Sequence, residues 1–148
     1  MAGGLTVKLK LPKPPSVNQI YGYTSRGKFA RSYITKRGKE FFTEAIKAIK
    51  EQQDITDSIE YPLIAHVDLY TSRGQDLDNI LKPVFDSLGN ICTICEVKFS
   101  TKKPCKCGKR LSVIHNDSQI KKIIAEFHKI KGKENQRVEL LLEQYDIR

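Results

Sequence analysis

No run of apolar residues in this 148-residue chain approaches the ~20 that a membrane-spanning helix requires. The opening MAGGLTVKLKLP lacks the apolar h-region of a signal peptide. A cytoplasmic protein with no membrane partner is therefore expected. Internal repeats and low-complexity linkers are also missing, which excludes solenoid architectures. Cysteine is absent outside residues 92 to 107, so no disulfide framework runs through the fold. Acidic residues are in deficit: 17 Asp and Glu stand against 26 Lys and Arg, a formal net charge of +9. That balance suits a polyanionic partner such as nucleic acid. What remains is 39% hydrophobic and 29% charged, the composition of one globular domain.

Leu5 to Leu11 alternates apolar with polar residues and reads as a half-buried strand, ended by Pro12, Pro14 and Pro15. Ser16 to Tyr33 (SVNQIYGYTSRGKFARSY) is rich in turn formers, with aromatics interleaved among cations, and reads as a loose hairpin or mobile loop. Thr35 to about Gln53 carries Phe42, Ala45, Ile46 and Ile49 at helical spacing. Tyr61 to Tyr70 is a second strand. Leu77 to Leu88 forms a second helix striped by Leu77, Leu81, Val84, Phe85 and Leu88, which Pro83 should kink. Gln119 to Ile130 and Arg137 to Tyr145 are two closing strands joined by KGKEN. The expected fold is α+β, a two-layer sandwich of a mixed β-sheet with two helices on one face. Residues 1–148 form its single domain, with residues 92–110 inserted as a cysteine-rich segment.

Asp76 and Asp78, in RGQDLDN, sit where a strand hands over to a helix. One reading makes Asp76 an N-cap and Asp78 a first-turn acid, both favoured by the helix dipole. The other makes them a metal site, since two close carboxylates repel unless a cation lies between them. Hard divalent ions such as Mg²⁺ use one or two protein carboxylates beside phosphate and water, an arrangement for phosphoryl transfer. An EF-hand is excluded, because its sixth and twelfth positions, counted from Asp76, are Leu81 and Ser87 instead of Gly and Glu. Lys82 either pairs with Asp78 at i,i+4 or faces a scissile phosphate and offsets charge in the transition state.

CTIC (Cys92, Cys95) and CKC (Cys105, Cys107) place four thiols within sixteen residues. Four thiolates satisfy tetrahedral Zn²⁺ with no open position, so a structural, knuckle-like zinc site is expected, with free or redox-active thiols as the alternative. His115 lies just past the thiols and is either an alternative ligand or an exposed or packing residue; the second is expected, because the thiols already suffice. His66 and His128 carry no partner signal. The cysteines would hold Lys98, Lys102, Lys103, Lys106, Lys109 and Arg110 as a basic finger.

The patterns PPSxN (Pro14, Pro15, Ser16, Asn18), DLDNxxKxxxDSL (Asp76 to Leu88) and NDSQI (Asn116 to Ile120) occur in that order. Together they resemble the RusA family of Holliday junction resolvases. The resemblance implies a RusA-like fold and a homodimeric, Mg²⁺-dependent endonuclease, with Mn²⁺ as the alternative ion, that makes paired nicks across four-way DNA junctions. Such an enzyme leaves a 5′-phosphate and a 3′-hydroxyl. By motif position Asp76, Asp78 and Asp117 are its acidic metal-binding set, Lys82 its catalytic lysine and Asn79 a supporting residue. Asn116 stands where the family's DDxQ pattern has its first acid, and the cysteine insertion departs from that pattern. Candidate DNA contacts are Asn18, Arg26, Lys28, Arg31, Arg73, Lys102 and Lys103. The alternatives are a less selective branched-DNA nuclease and a DNA-binding accessory protein with an inactive acidic site.

Overall fold

A computed structural model describes residues 6–26, 29–74, 77–97 and 105–146, with backbone alone at 24–26 and 29–32. The elements in chain order are β1 (Thr6–Pro12), α1 (Val17–Ile20), β2 (Tyr21–Arg26), β3 (Phe29–Ile34), α2 (Lys36–Gln52), β4 (Leu63–Thr71), α3 (Asp78–Gly89), β5 (Ile120–Lys129) and β6 (Arg137–Gln144). Four strands form one sheet in the order β1-β6-β4-β5. β6 runs antiparallel to both neighbours, whereas β4 and β5 are parallel. The sheet is thus mixed, as expected. β2 and β3 make a separate antiparallel ribbon, and among the described residues the α-helices number three, residues 17–20 forming a single turn.

Period-two alternation turns one face of the sheet inward. Leu63, Ala65, Val67, Leu69 and Thr71 of β4 are all buried, as are Leu9 and Leu11 of β1 and Val138, Leu140 and Leu142 of β6. They pack against Ile49 of α2 and against Ile80, Val84, Phe85 and Leu88 of α3. Each such aliphatic side chain contributes about 1.5–3 kcal/mol when fully buried. Ile80, Val84 and Leu88 recur every four residues, so they form the innermost line of α3, while Leu77 and Leu81 lie half-buried beside it. Pro83 is buried and does not end the helix, which continues to Gly89.

α2 also closes a second cluster, joining Phe41, Phe42, Ala45 and Ile46 to Ile20 and Ile91. Its first turn lies very close to the chain that precedes it. A Cβ at Gly38 would meet the Ile20 carbonyl at 2.8 Å, so only glycine permits this approach. Thr35 caps the helix by accepting from Gly38 N at 3.1 Å. The segment expected as a loose hairpin or mobile loop forms a hairpin, with the β2–β3 register running from Tyr21↔Ile34 to Arg26↔Phe29 and Thr35 N donating to the Ile20 carbonyl at its base.

Candidate functional site

α3 places three charged side chains along one face, because Asp78, Lys82 and Asp86 are spaced four residues apart. Asp78 is exposed in the first turn, where the helix dipole favours an anion. Its carboxylate has no partner among the described residues, so its oxygens remain open to a hard cation. Lys82 does not pair with Asp78. Its Nζ lies 3.4 Å from Asp86 Oδ2 and 4.9 Å from the centre of the Tyr21 ring. The reason is burial: Asp86 is only 4% exposed, and a desolvated carboxylate needs donors and a counter-charge that an exposed one obtains from water. Tyr21 OH donates to the same carboxylate, and Asn90 Nδ2 donates to its other oxygen at 3.1 Å. Burial, then the bond to Asp86, holds the Tyr21 phenol well above its ordinary range. No role had been assigned to Asp86 or Tyr21 from sequence, although Asp86 falls inside the DLDNxxKxxxDSL pattern.

Asp117 lies elsewhere. Gln119 staples its turn to the segment before β4, donating to the carbonyls of Ile59 at 2.8 Å and Tyr61 at 3.0 Å. Asn116 caps the turn by accepting from Ser118 N at 2.9 Å, which accounts structurally for the Asn and Gln of NDSQ. Asp117 is left exposed. Because β4 and β5 are parallel, from Leu63↔Ile120 to Thr71↔Lys129, Asp117 sits at the start of β4 and Asp78 follows its end. α3 then runs back, so that a Cβ at Gly89 would lie 3.8 Å from Asp117 N. At 1.5 Å per residue the helix separates the two acids by roughly 16 Å. Within one chain the expected acidic set is not brought together.

Asn79 lies half-buried in the first turn of α3, and Asn18 is exposed on α1. Arg73 follows β4 on a braced turn: Gln136 Oε1 accepts from Thr71 Oγ1 at 2.9 Å and from Ser72 N at 3.1 Å, while Arg73 N donates to Thr71 Oγ1 at 3.2 Å. Asp76, Lys28, Lys98, Lys102 and Lys103, and the side chains of Arg26 and Arg31, lie outside the described residues.

The cysteines do converge. All four Sγ atoms lie within 4.8 Å of one another, with Cys107 Sγ 3.5 Å from Cys92 Sγ and 3.6 Å from Cys105 Sγ. Such separations are far too long for disulfides. They match the spacing of thiolates around one tetrahedral ion with metal–sulfur bonds of ~2.3 Å. Local backbone builds the cluster. Glu96 N closes the first turn on the Cys92 carbonyl at 2.9 Å and Gly108 N closes the second on Cys105 at 3.2 Å. The residue after each pair, Glu96 or Gly108, takes a positive φ. Arg110 N donates to Cys105 Sγ at 3.3 Å. Burial raises the Cys95 thiol, but hydrogen bonds from Cys107 and Cys92 outweigh it and bring the group down to about 6, towards the thiolate a metal needs. His115 is no ligand: it is exposed and pairs with Glu60 at 3.0 Å.

A second group that can hold a metal ion, not foreseen from sequence, lies on the outer face of the sheet. Asp68, Glu126 and His128 offer ligand atoms within 4.8 Å of one another, and His128 is 2.8 Å from Asp68. The β4–β5 register sets Asp68 beside Glu126 and Tyr70 beside His128; period-two patterning alone cannot report such a pairing across strands. His66 likewise finds Glu143, at 2.7 Å.

These features define a basic, mixed α+β protein with a four-thiol centre able to hold a metal ion and an acid–lysine helix face. Among the described residues no helix is long and apolar enough to cross a membrane. No family model matches the chain. Over 79 residues it is 33% identical to the crossover junction endodeoxyribonuclease RusA of Enterobacteria phage HK97, a match that covers 53% of this chain and 62% of the phage protein. The RusA-family resemblance read from the sequence motifs therefore stands.

Proposed function

We propose that the chain is a RusA-type endonuclease that resolves four-way DNA junctions by paired, symmetric nicks. Its similarity to the crossover junction endodeoxyribonuclease of phage HK97 carries the reading. The +9 charge and the α3 face support it. Asp76 and Asp78 are the carboxylates that would hold Mg²⁺ or, in its place, Mn²⁺. Bound there, such an ion supplies polarisation of the scissile phosphate and a water of lowered pKa for in-line attack. Lys82 offers an ammonium to the charge that builds on the phosphate, and its contacts to Asp86 and Tyr21 limit where that ammonium can sit. Asn79 supports the site from the same helical turn.

A helix length separates Asp117 from Asp78 in its own chain, so completing the acidic set calls for a second copy. In a two-fold dimer, Asp117 of the partner subunit would close the site around Asp78, giving two identical centres for the two symmetric strands of a junction. The four thiolates hold structural Zn²⁺, and residues 92–110 form an insertion in the single domain that presents its cations to DNA or to the dimer partner.

The test is strand cleavage of a labelled four-way junction and a matched linear duplex with Mg²⁺ or EDTA. Symmetric, Mg²⁺-dependent nicks in the junction alone are expected. Cleavage of both substrates would point to a less selective nuclease. Tight junction binding without cleavage would favour the accessory-protein reading, for which the separation of Asp117 from Asp78 is the supporting observation.

A further inference from the structure

Three cations from distant parts of the chain line one open cleft of about 380 Å³: Lys13 after β1, Arg37 in the first turn of α2 and Arg73 after β4. Ser16, Gln19 and Gln136 line it as well. Among the described residues none of the three cations enters an ion pair. Each is carried by backbone that its neighbours constrain. Lys13 precedes Pro14 and Pro15, Arg37 follows the Thr35 cap, and Arg73 rides on the Thr71–Gln136 brace. Gln136 accepts three hydrogen bonds through Oε1, from Thr71 Oγ1, Ser72 N and Ser72 Oγ, which leaves its NH₂ as a donor in a side chain lining the cleft. Burial, then repulsion from Arg73 and Arg37, lowers the pKa of Lys13. Among the described residues no carboxylate lines the cleft; like charges so crowded oppose the folded state, and a bound anion removes that penalty.

We propose that Lys13, Arg37 and Arg73 form a seat for one backbone phosphate of the DNA substrate, next to the strand end that leads into the acidic motif. The seat rests on the endonuclease reading and adds to it a fixed point of contact. Arginine and lysine around a phosphate oxygen, with an amide donor beside them, give positioning without base readout. Sequence inspection marked Arg73 alone of the three as a DNA contact. Lys13 and Arg37 join it only through the fold.

The experiment is the salt dependence of junction and duplex binding for the native protein, a Lys13→Gln/Arg37→Gln double variant and a Lys39→Gln control. Lys39 lies on α2 outside the cleft and carries the same charge. In the double variant the slope of log K against log salt should fall by about one, with affinity lost equally on junction and duplex. The control should keep the native slope. Cleavage by the native protein is measured in parallel. An unchanged slope in the double variant, or an equal fall in the control, overturns the seat while leaving a cleaving native protein as a nuclease. A reduced slope in a protein that never cleaves keeps the seat and removes the nuclease reading.

Discussion

The cysteine centre and the proposed acidic site are assembled in opposite ways. Four thiols meet within 4.8 Å because two tight turns, each closed by its own backbone hydrogen bonds, need only a short loop to bring them together. Asp78 and Asp117 have the whole of α3 between them, and the parallel pairing of β4 with β5 sends them to opposite ends of the sheet. A site built from local turns can be complete in one chain. One built from the ends of long elements depends on how those elements, or two copies of them, are arranged. The contrast predicts that the thiol centre governs stability and that the acids govern turnover.

The largest expected effect is on chemistry. Asp78→Asn should lower junction cleavage by ~10³-fold or more, ~4 kcal/mol in the barrier, while junction binding and the unfolding midpoint stay near native; a parallel loss of binding would merge the two roles. Mixing Asp78→Asn with Asp117→Asn sharpens the comparison further. If the acids close across a dimer, mixed dimers keep one intact site, and about a quarter of the native sites return at equal mixing. No recovery would overturn the site shared between two subunits. On the thiol side, if the four cysteines hold a metal ion, Cys92→Ser should lower the metal content of the protein and cost at least ~2 kcal/mol of stability, seen as a midpoint lowered by several degrees with metal analysis alongside. A midpoint that stays native would detach this centre from folding. The smallest effect is at Asp86. Tyr21→Phe removes one donor from a buried carboxylate, at about 1–2 kcal/mol by denaturant titration. The phenol's pKa is raised in the folded state, so its contribution is whole below the ordinary tyrosine value near ~10 and is lost as pH climbs above that value. The phenylalanine variant should lack that alkaline decline relative to the native protein.

Much of the fold was legible because burial imposes a period on local sequence. The alternation of Leu9 with Lys8 and Lys10, and the spacing of Phe42, Ala45, Ile46 and Ile49, placed a strand and a helix to within about two residues of their observed ends. The β2–β3 ribbon was not legible to the same degree: Gly22, Ser25 and Ser32 dilute its strand signal, and its register depends on pairing Tyr21 with Ile34. The thiol cluster could be read directly, since its ligands lie in two short turns. The partner of Lys82 could not. Asp78 and Asp86 are equally spaced from it, and only burial of Asp86 decides between them.

By itself, then, the sequence determined which segments alternate, which coil, where four thiols would meet, and that the surface would be strongly basic. Tertiary structure alone decided the order β1-β6-β4-β5, the separation of Asp117 from Asp78, and the meeting of Lys13 with Arg37 and Arg73. The physical reason is range. Periodicity records which side of its own element a residue must bury, whereas proximity between residues far apart in the chain is set by strand direction and packing register.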